Sequence, residues 1–292
     1  MNQGCAMPEL RLAVVGHPVA HSLSPIMHQI AMAALGLVGS YRAWDLPPEH
    51  LNALPQAIRS GQLHGANVTM PHKSAILSHL DCFAESAQAA GAANTIWLDQ
   101  SRGLCGANTD VDAAEALLRA HFDSLDQKHA IVIGSGGAAR ATLAALGRLQ
   151  CFSVNVVHRN TASVEAMLAQ FPYIRPISLD NRCELSKAFS QASVVFQSTS
   201  APMDHAQGEA LVSRLPVESI PKSAIAFEWV YRPLRTQFLR VLEARGIHVI
   251  DGLSLLVEQG IRSLALWTGR SIEEISKVPL KASLLEALVG ST

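Results

Sequence analysis

The sequence predicts an α/β protein with two domains, and three observations support this fold class. Short apolar runs alternate with longer helical patterns along nearly the whole chain, as in strands joined by right-handed crossover helices. A length of 292 residues favours two domains, although one large α/β unit would also accommodate it. Apolar residues make up 49% of the chain, which is enough to fill sizeable cores.

The first series of elements extends to about residue 120, and alternation of strands and helices predicts a parallel-rich sheet. Its predicted strands are Leu12–Val15, Tyr41–Trp44, Ala66–Thr69 and Thr95–Leu98, the last followed by a turn at Asp99–Gly103. Its predicted helices are one from Pro25, with Ser24 as N-cap and Gly36 beyond its end, one at Pro48–Ser60, one starting near Pro71, and one at Asp110–Ala120.

The second series follows a polar segment, residues 121–129, which predicts a domain boundary. Its predicted strands are near-continuous apolar runs, as expected for a sheet covered on both faces: Ala130–Ile133, Ser153–Val157, Val194–Gln197 and Ala224–Trp229. The C-terminal predictions are a helix at Leu253–Trp267 ended by Gly269, a helix begun by a capping box of Ser271 and Glu274, and a helix at Leu280–Leu288.

The charge balance argues against two classes of partner. The net charge is −1, from 23 basic and 24 acidic residues, so there is no basic excess for nucleic acid and no charge run for a membrane surface. No segment has the length and apolar character of a signal-peptide core or a membrane span. We therefore expect a cytoplasmic protein that contacts neither nucleic acid nor membrane.

Cysteine and histidine usage indicates a reducing compartment and no metal. The cysteines form an odd, scattered set without a C-x-x-C pair, unlike a disulfide framework or a zinc site. None of the 12 histidines falls in a recognised ligand pattern, so we predict no metal site. The cysteines are Cys5, Cys82, Cys105, Cys151 and Cys183.

A glycine-rich segment in the second series predicts a dinucleotide site. In "AIVIGSGGAARA", residues 130 to 141, the G-x-G-x-x-A pattern is formed by Gly134, Gly136 and Ala139, directly after a strand and before a helix. The first glycine permits a tight turn, the second lets backbone amides approach a pyrophosphate, and the small alanine allows helix and strand to pack closely.

The end of the next predicted strand favours NADP over NAD. Arg159 stands where an NAD-binding chain usually carries Asp or Glu for the ribose hydroxyls. A guanidinium can bind a 2′-phosphate through two charge-assisted hydrogen bonds. A surface arginine with no ligand is the alternative. The same basic residue argues against a methyltransferase, which would need an acidic one here.

Four other segments are ambiguous when each is taken alone. Lys73, in "GANVTMPHK", is either a solvated surface lysine or a group held at a strand-to-helix turn. Ser24 and the "NTD" segment, residues 108 to 110, are adequate helix caps. Gln259 lies in a leucine-rich helix and could be a satisfied core amide or a surface residue.

Taken in order along the chain, these motifs resemble the shikimate dehydrogenase family over nearly the whole length. The matching segments are "HSLSPIMH", "GANVTMPHK", "GAANT", "GANTD", "GSGGAAR", "HRNT", "VYRPLRT", "DGLSLLVEQ" and "WTG". The resemblance implies a substrate-binding and catalytic domain, residues 1–110 with 252–292, and a Rossmann-like NADP domain, residues 111–251. It also implies the reversible, NADP-linked reduction of 3-dehydroshikimate to shikimate by a monomer or homodimer.

The resemblance also implies a role for individual residues. The catalytic pair would be Lys73 and Asp110. The substrate-binding residues would be Ser22, Ser24, Thr69, Asn94, Asp110, Tyr231 and Gln259. The cofactor-binding residues would be Gly134, Ser135, Gly136, Gly137, Ala138, Ala139, His158, Arg159, Asn160, Thr199 and Gly252.

The chain departs from the family pattern mainly on the cofactor side. His158–Asn160 stands in place of Asn-Arg-Thr, Gln197–Ser200 in place of Asn-x-Thr-Ser, Leu255 in place of a methionine, and Glu228 with Trp229 where an aspartate is usual. Two alternatives to a shikimate dehydrogenase stay open. One is a quinate-type paralogue with relaxed cofactor use; the other is a non-catalytic dinucleotide-sensing protein, against which the retained Lys73 and Asp110 argue.

Overall fold

The computed structural model describes residues 9–289 and divides the chain into two compact units. Unit 1 takes the chain up to Thr109 and from Val257 onward, and unit 2 is Asp110–Leu256. The first division falls in the first turn of a helix and not in the polar segment 121–129, because that segment joins a helix and a strand that both belong to unit 2. Cys5 lies outside the described residues.

The first third of the chain supplies the sheet of unit 1. Its strands are β1 (Leu10–Gly16), β2 (Gly39–Asp45), β3 (Gly65–Val68), β4 (Cys82–Phe83), β5 (Thr95–Asp99) and β6 (Gly103–Ala107). Its helices are α1 (Ser24–Ala34), α2 (Ala53–Arg59) and α3 (Glu85–Ala90), and α4 (Thr109–His121) follows.

The rest of the chain supplies unit 2 and the C-terminal helices. The strands are β7 (His129–Ile133), β8 (Ser153–His158), β9 (Ile174–Ser178), β10 (Val194–Gln197), β11 (Ile225–Glu228) and β12 (His248–Ile250). The helices are α5 (Gly137–Arg148), α6 (Thr161–Leu168), α7 (Arg182–Ser190), α8 (His205–Arg214), α9 (Gln237–Ala244), α10 (Gly252–Thr268), α11 (Ile272–Ser276) and α12 (Leu280–Val289).

The sheet of unit 1 is mixed, with the order β2-β1-β3-β5-β6-β4. Strand β1 pairs in parallel with β2 and β3, whereas β5 runs antiparallel to both β3 and β6. Strand β4 also pairs in parallel with β6, so the sheet is parallel-rich, as predicted, and β5 is its antiparallel strand. Asp99 accepts hydrogen bonds from the backbone amides of Ser101 and Arg102, and the turn reverses the chain into β6, a strand that the sequence pattern did not predict.

The sheet of unit 2 is parallel throughout, with the order β9-β8-β7-β10-β11-β12. Counted from β7, this is the 3-2-1-4-5-6 order of doubly wound dinucleotide-binding folds. The order reverses between β7 and β10, and ligands of such sheets bind beyond the carboxyl ends of the strands at that point. The two strands that sequence patterning missed, β9 and β12, are edge strands with partly exposed residues, so they lack a continuous apolar run.

Several local predictions can be compared with the structure. Gly36 and Gly269 follow their helices with positive φ, and the Ser271 side chain accepts a hydrogen bond from the amide of Glu274, as predicted. The prediction of a helix starting near Pro71 was wrong, because this segment forms a turn that is followed by a 3-10 helix at Ala75–His79. Pro48–Ser60 divides into a 3-10 helix at its start and α2.

Within residues 9–289, no helix combines the length and apolar character needed to cross a lipid bilayer. The same residues contain no cluster of His, Cys, Asp and Glu arranged to bind a metal ion. The four cysteines in this range are unbonded thiols.

Candidate active site

The predicted substrate-binding residues of unit 1 come from segments that meet at one edge of its sheet. Ser22 and Ser24 follow β1, and Thr69 and Lys73 follow β3, which is parallel to β1. The amide of Thr69 donates to the carbonyl of Val15 at 2.8 Å, so the two strand ends stay side by side. Such carboxyl ends of parallel strands are the usual position of ligand-binding residues in α/β sheets.

The antiparallel hairpin brings two more segments to this edge. The amide of Val68 donates to the carbonyl of Asn94 at 2.7 Å, and the amide of Asn94 donates to the carbonyl of Ala107 at 3.0 Å. Asn94, immediately before β5, and Thr109, two residues beyond β6, therefore lie next to the end of β3. Asp110 is the next residue and is buried in the first turn of α4, in unit 2.

Lys73 is held in a turn rather than in the first turn of a helix. Its carbonyl accepts a hydrogen bond from Ala93 at 2.8 Å, so that oxygen does not start an α-helical ladder, and the amide of Leu77 bonds instead to Ser74. On the preceding residue, the buried ring of His72 places Nε2 2.6 Å from the carbonyl of Leu46. The turn is therefore anchored on both sides, and the Lys73 side chain is half-buried.

The two serines after β1 have different local roles, which corrects the predicted N-cap. Helix α1 begins at Ser24, and the side chain of Ser24 makes no capping hydrogen bond. The hydroxyl of Ser22 instead accepts the amide of Ser24 at 3.2 Å. Ser22 therefore stabilises the start of α1 by accepting this amide, whereas the buried Ser24 makes no capping hydrogen bond.

A buried network of amides and hydroxyls, which sequence patterning did not predict, surrounds Asn94. Its members besides Asn94 are Asn67 on β3, Thr95 on β5, Thr109 on α4 and Ser263 on α10. Gln259 precedes Ser263 by one helical turn and its carbonyl accepts the Ser263 hydroxyl at 3.0 Å. A buried asparagine inside an otherwise apolar strand, Asn67 in "GANV", was the available sequence signal.

In unit 2 the glycine-rich turn lies at the point where the strand order reverses. Gly134 follows β7 with φ +113, and a Cβ there would stand 2.8 Å from Thr199, which follows β10. Ala139 is fully buried in α5, so a larger side chain would push the helix away. A Cβ at Gly136 would meet nothing within 4 Å, so packing within the chain does not require a glycine there, whereas close approach of a phosphate would.

The end of β8 presents an unpaired cation and an unpaired ring nitrogen. Arg159 is exposed and makes no ion pair with any residue from 9 to 289. His158 is buried, and its Nδ1 has no hydrogen-bond partner within the same range. Asn160 is occupied differently, because its side chain caps α6 by accepting the amide of Ser163 at 3.4 Å.

Two of the departures from the family pattern contact each other. The amide of Thr199 donates to Gln197 Oε1 at 2.7 Å, which turns Gln197 Nε2 toward Glu228 Oε1 at 3.1 Å. Glu228 also accepts the amide of Val230 at 2.8 Å and the hydroxyl of Thr236 at 3.0 Å. Its side chain is completely buried, and this burial raises its pKa to about 8.

Next to this network, the Ser198 hydroxyl is buried without a hydrogen-bond partner among the described residues. Further along unit 2, a Cβ at Gly252 would lie 2.4 Å from the carbonyl oxygen of Val230, so glycine allows α10 to start against the chain leaving β11. Tyr231, the next residue of that chain, is half-buried.

Two segments of the chain match described families. Residues 14–96 match the shikimate dehydrogenase substrate binding domain, and residues 116–222 match shikimate / quinate 5-dehydrogenase. The chain is 40% identical over 260 residues to shikimate dehydrogenase (NADP(+)) of Thermus thermophilus, with 89% of this chain and 93% of that protein covered. It is 36% identical over 267 residues to the protein of the same name from Microcystis aeruginosa, with 89% and 92% covered.

The fold is similar to that of a solved relative. The crystal structure of shikimate 5-dehydrogenase from Thermus thermophilus, in complex with NADP(H) and shikimate, superposes with a TM-score of 0.78 at 37% identity and covers 94% of this chain and 99% of that one. The similarity extends over both units, and the sequence identity is well above the level at which only a fold is shared. The chain belongs to the shikimate dehydrogenase family.

Proposed function

We propose that the chain is an NADP-dependent oxidoreductase that catalyses the reversible reduction of 3-dehydroshikimate to shikimate. The observation that carries this proposal is that Ser22, Ser24, Thr69, Lys73 and Asn94 all come from segments meeting at one sheet edge of unit 1. These five are among the residues that the family resemblance implies for substrate binding and catalysis. Residues 1–110 with 252–292 would then be the substrate domain, and residues 111–251 the NADP domain.

The catalytic pair that we propose is Lys73 and Asp110. Reduction of a ketone develops negative charge on its oxygen, and a proton must reach that oxygen; in the reverse reaction the alcohol proton must leave. When bound, NADPH supplies the hydride and NADP⁺ accepts it. The anchored turn of residues 72 and 73 supports an assignment of Lys73 to the substrate oxygen, with Asp110 orienting the ammonium group or sharing the proton.

The remaining substrate contacts suit a small polyhydroxylated acid. Ser22 and Ser24, with Tyr231, would bind the carboxylate. Thr69, Asn94, Asp110 and Gln259 would read the ring hydroxyls. A mixture of short hydroxyls and amides is needed because each polar group of the substrate that is buried without a partner lowers affinity.

The carboxyl edge of the unit 2 sheet fits a phosphorylated dinucleotide. The turn from Gly134 to Ala139 would hold the pyrophosphate at the start of α5. Thr199 and Gly252 belong to the same proposed set of cofactor-binding residues. Arg159 would bind the 2′-phosphate, beside His158 and Asn160. Support comes from two buried polar atoms without partners in the described chain, Ser198 Oγ and His158 Nδ1, since such atoms are costly unless a ligand or water pairs with them.

We propose that the enzyme acts in the cytoplasm as a monomer or homodimer, and that it binds neither nucleic acid nor membrane. The net charge of −1 supports the last two points.

Initial rates with shikimate and with quinate, each against NADP⁺ and NAD⁺, test the proposed function. We expect the highest kcat/KM for shikimate with NADP⁺. A higher value for quinate would favour the quinate-type paralogue, and binding of dinucleotide without oxidation of either acid would favour the sensor.

A further inference from the structure

The side-chain amide of Asn94 is held in one orientation by the protein itself. The backbone amide of Thr109 lies 2.7 Å from Asn94 Oδ1. A backbone N–H can only donate, so the atom it contacts must be the oxygen of the Asn94 amide. The Nδ2 group then points the other way, and no hydrogen bond of Nδ2 occurs among residues 9–289 although Asn94 is only 3% exposed.

Thr95 adds a second bond to the same oxygen. Its hydroxyl donates to Asn94 Oδ1 at 3.0 Å and accepts from Asn67 Nδ2, also at 3.0 Å. The orientation of Asn67 is fixed in turn, because its Nδ2 lies 3.1 Å from the backbone carbonyl of Asn94, and a carbonyl can only accept. Its Oδ1 accepts the hydroxyl of Tyr41 at 2.7 Å.

Ser263 joins this cluster to the helix that carries Gln259. Its hydroxyl lies 2.8 Å from that of Thr95 and 3.1 Å from that of Thr109, and it accepts from Asn67 Nδ2 at 2.9 Å. Thr95, Thr109 and Ser263 are completely buried. In such surroundings, the bonds among these groups hold one arrangement, since a rotated side chain would leave further buried donors or acceptors unpaired.

We propose that Thr95 and Ser263 are positioning residues for the reaction. They act on the substrate only through Asn94: Thr95 donates to Asn94 Oδ1, and Ser263 lies against the hydroxyls of Thr95 and Thr109, both of which bond to that oxygen. With Oδ1 held inward, Nδ2 is presented to an acceptor oxygen on the substrate. The inference rests on the proposed function, because it takes Asn94 to be a substrate contact. The acceptor is then a ring hydroxyl oxygen, because the proposed function assigns the carboxylate to the two serines and the ketone oxygen to Lys73.

Two substitutions at Thr95 separate the hydroxyl from the shape of the side chain. Thr95→Val keeps the shape and removes the hydroxyl, whereas Thr95→Ser keeps the hydroxyl and removes a methyl group. We expect Thr95→Val to raise the KM for shikimate about ten-fold, as for loss of an orienting hydrogen bond, with the KM for NADP⁺ unchanged. Thr95→Ser should stay near the wild type. Ser263→Ala should behave like Thr95→Val and serves as a second variant if the valine protein does not fold.

A double-mutant cycle with Asn94→Ala tests whether Thr95 acts through Asn94. If it does, Thr95→Val should add no further rise in KM once Asn94 is alanine. Equal losses in Thr95→Val and Thr95→Ser, additive effects in the cycle, or a lowered unfolding temperature with unchanged KM would overturn the positioning role. A wild-type protein that does not oxidise shikimate would overturn the proposed function, and the positioning role with it; an active wild type with an unaffected Thr95→Val would overturn the positioning role alone.

Discussion

The two units differ in how they hold their polar site residues. In unit 1, Asn94 and its neighbours Asn67, Thr95, Thr109 and Ser263 form a neutral network whose members bond to one another. On the carboxyl edge of the unit 2 sheet, Ser198 Oγ and His158 Nδ1 have no partner among the described residues. The buried polar network there contains a carboxyl group, that of Glu228.

This difference indicates that the unit 1 network fixes the orientation of its side chains before any ligand binds and leaves Asn94 Nδ2 for the substrate. On the cofactor edge, Ser198 Oγ and His158 Nδ1 are left for a ligand to pair. A change in the unit 1 network should therefore affect stability and substrate kinetics together. A change on the cofactor edge should affect dinucleotide binding with little effect on stability. The following substitutions test this contrast, in order of decreasing expected effect.

Lys73→Ala should lower kcat by roughly 10²–10⁴, the usual effect of removing a positioned acid or base. The fold and NADP⁺ binding should be retained, since the anchoring bonds of the turn use backbone atoms of residue 73 and the ring of His72. Steady-state rates with shikimate measure the effect, and Lys222→Ala, at an exposed lysine of unit 2, is the matched control. Retention of more than about a tenth of kcat would contradict a catalytic role for Lys73.

Replacing both Ser22 and Ser24 with alanine should raise the KM for shikimate by more than about ten-fold, because a hydrogen bond to a carboxylate contributes about 1.5–3 kcal/mol. The single variants separate binding from helix capping. Ser24→Ala should raise KM with an unchanged unfolding temperature, whereas Ser22→Ala should also destabilise the protein by about 1 kcal/mol through loss of the bond to the Ser24 amide. Unchanged KM in the double variant would remove both serines from the substrate site.

We expect the wild type to prefer NADP⁺ over NAD⁺ by about ten- to a hundred-fold, which corresponds to the free energy of roughly one hydrogen bond between charged groups. Arg159→Ala should remove most of this preference. The loss should fall on NADP⁺, with NAD⁺ nearly unaffected and stability unchanged, because Arg159 is exposed and makes no ion pair with the described residues. Values of kcat/KM for both cofactors measure it, with Arg182→Ala, another exposed arginine of unit 2, as control. Equal use of both cofactors by the wild type would refute the 2′-phosphate site.

Glu228→Gln should change the pH dependence of stability. Burial raises the pKa of Glu228 from 4.5 to about 8, so between these values the folded protein binds a proton that the unfolded chain has released. The free energy of unfolding therefore decreases as pH rises from 4.5 to about 8. Glutamine does not titrate, and its Oε1 can still accept the amide of Val230 and Gln197 Nε2. Its Nε2 would donate to the Thr236 hydroxyl, which reverses the direction of that one bond.

Unfolding temperatures between pH 5 and 9 measure this effect. The wild type should lose more stability than the glutamine variant over that range, and parallel curves for the two proteins would show that Glu228 does not titrate there. A comparable substitution in the neutral network of unit 1, such as Thr95→Ser, should leave the pH dependence unchanged.

The sequence predicted best where an element depends on its own residues. The buried strands of unit 2 each contain a mainly apolar run, so β7, β8, β10 and β11 were placed to within one or two residues. Edge strands β9 and β12 were missed because only part of each is buried. The prediction of a helix at Pro71 failed because the carbonyl of Lys73 bonds to Ala93, a residue twenty positions away that no local pattern includes.

By itself, the sequence determined the fold class, the family and the residue types of the candidate site, because strand periodicity, the Gly134–Ala139 pattern and the order of motifs are local properties of the chain. Only the tertiary structure decided which of these residues meet and how they are oriented. The orientation of the Asn94 amide depends on the backbone amide of Thr109, 15 residues further along the chain, and the contact between Gln197 and Glu228 joins two departures that are 31 residues apart. Such contacts form when distant segments pack together, and hydrogen-bond direction then depends on which atoms face each other.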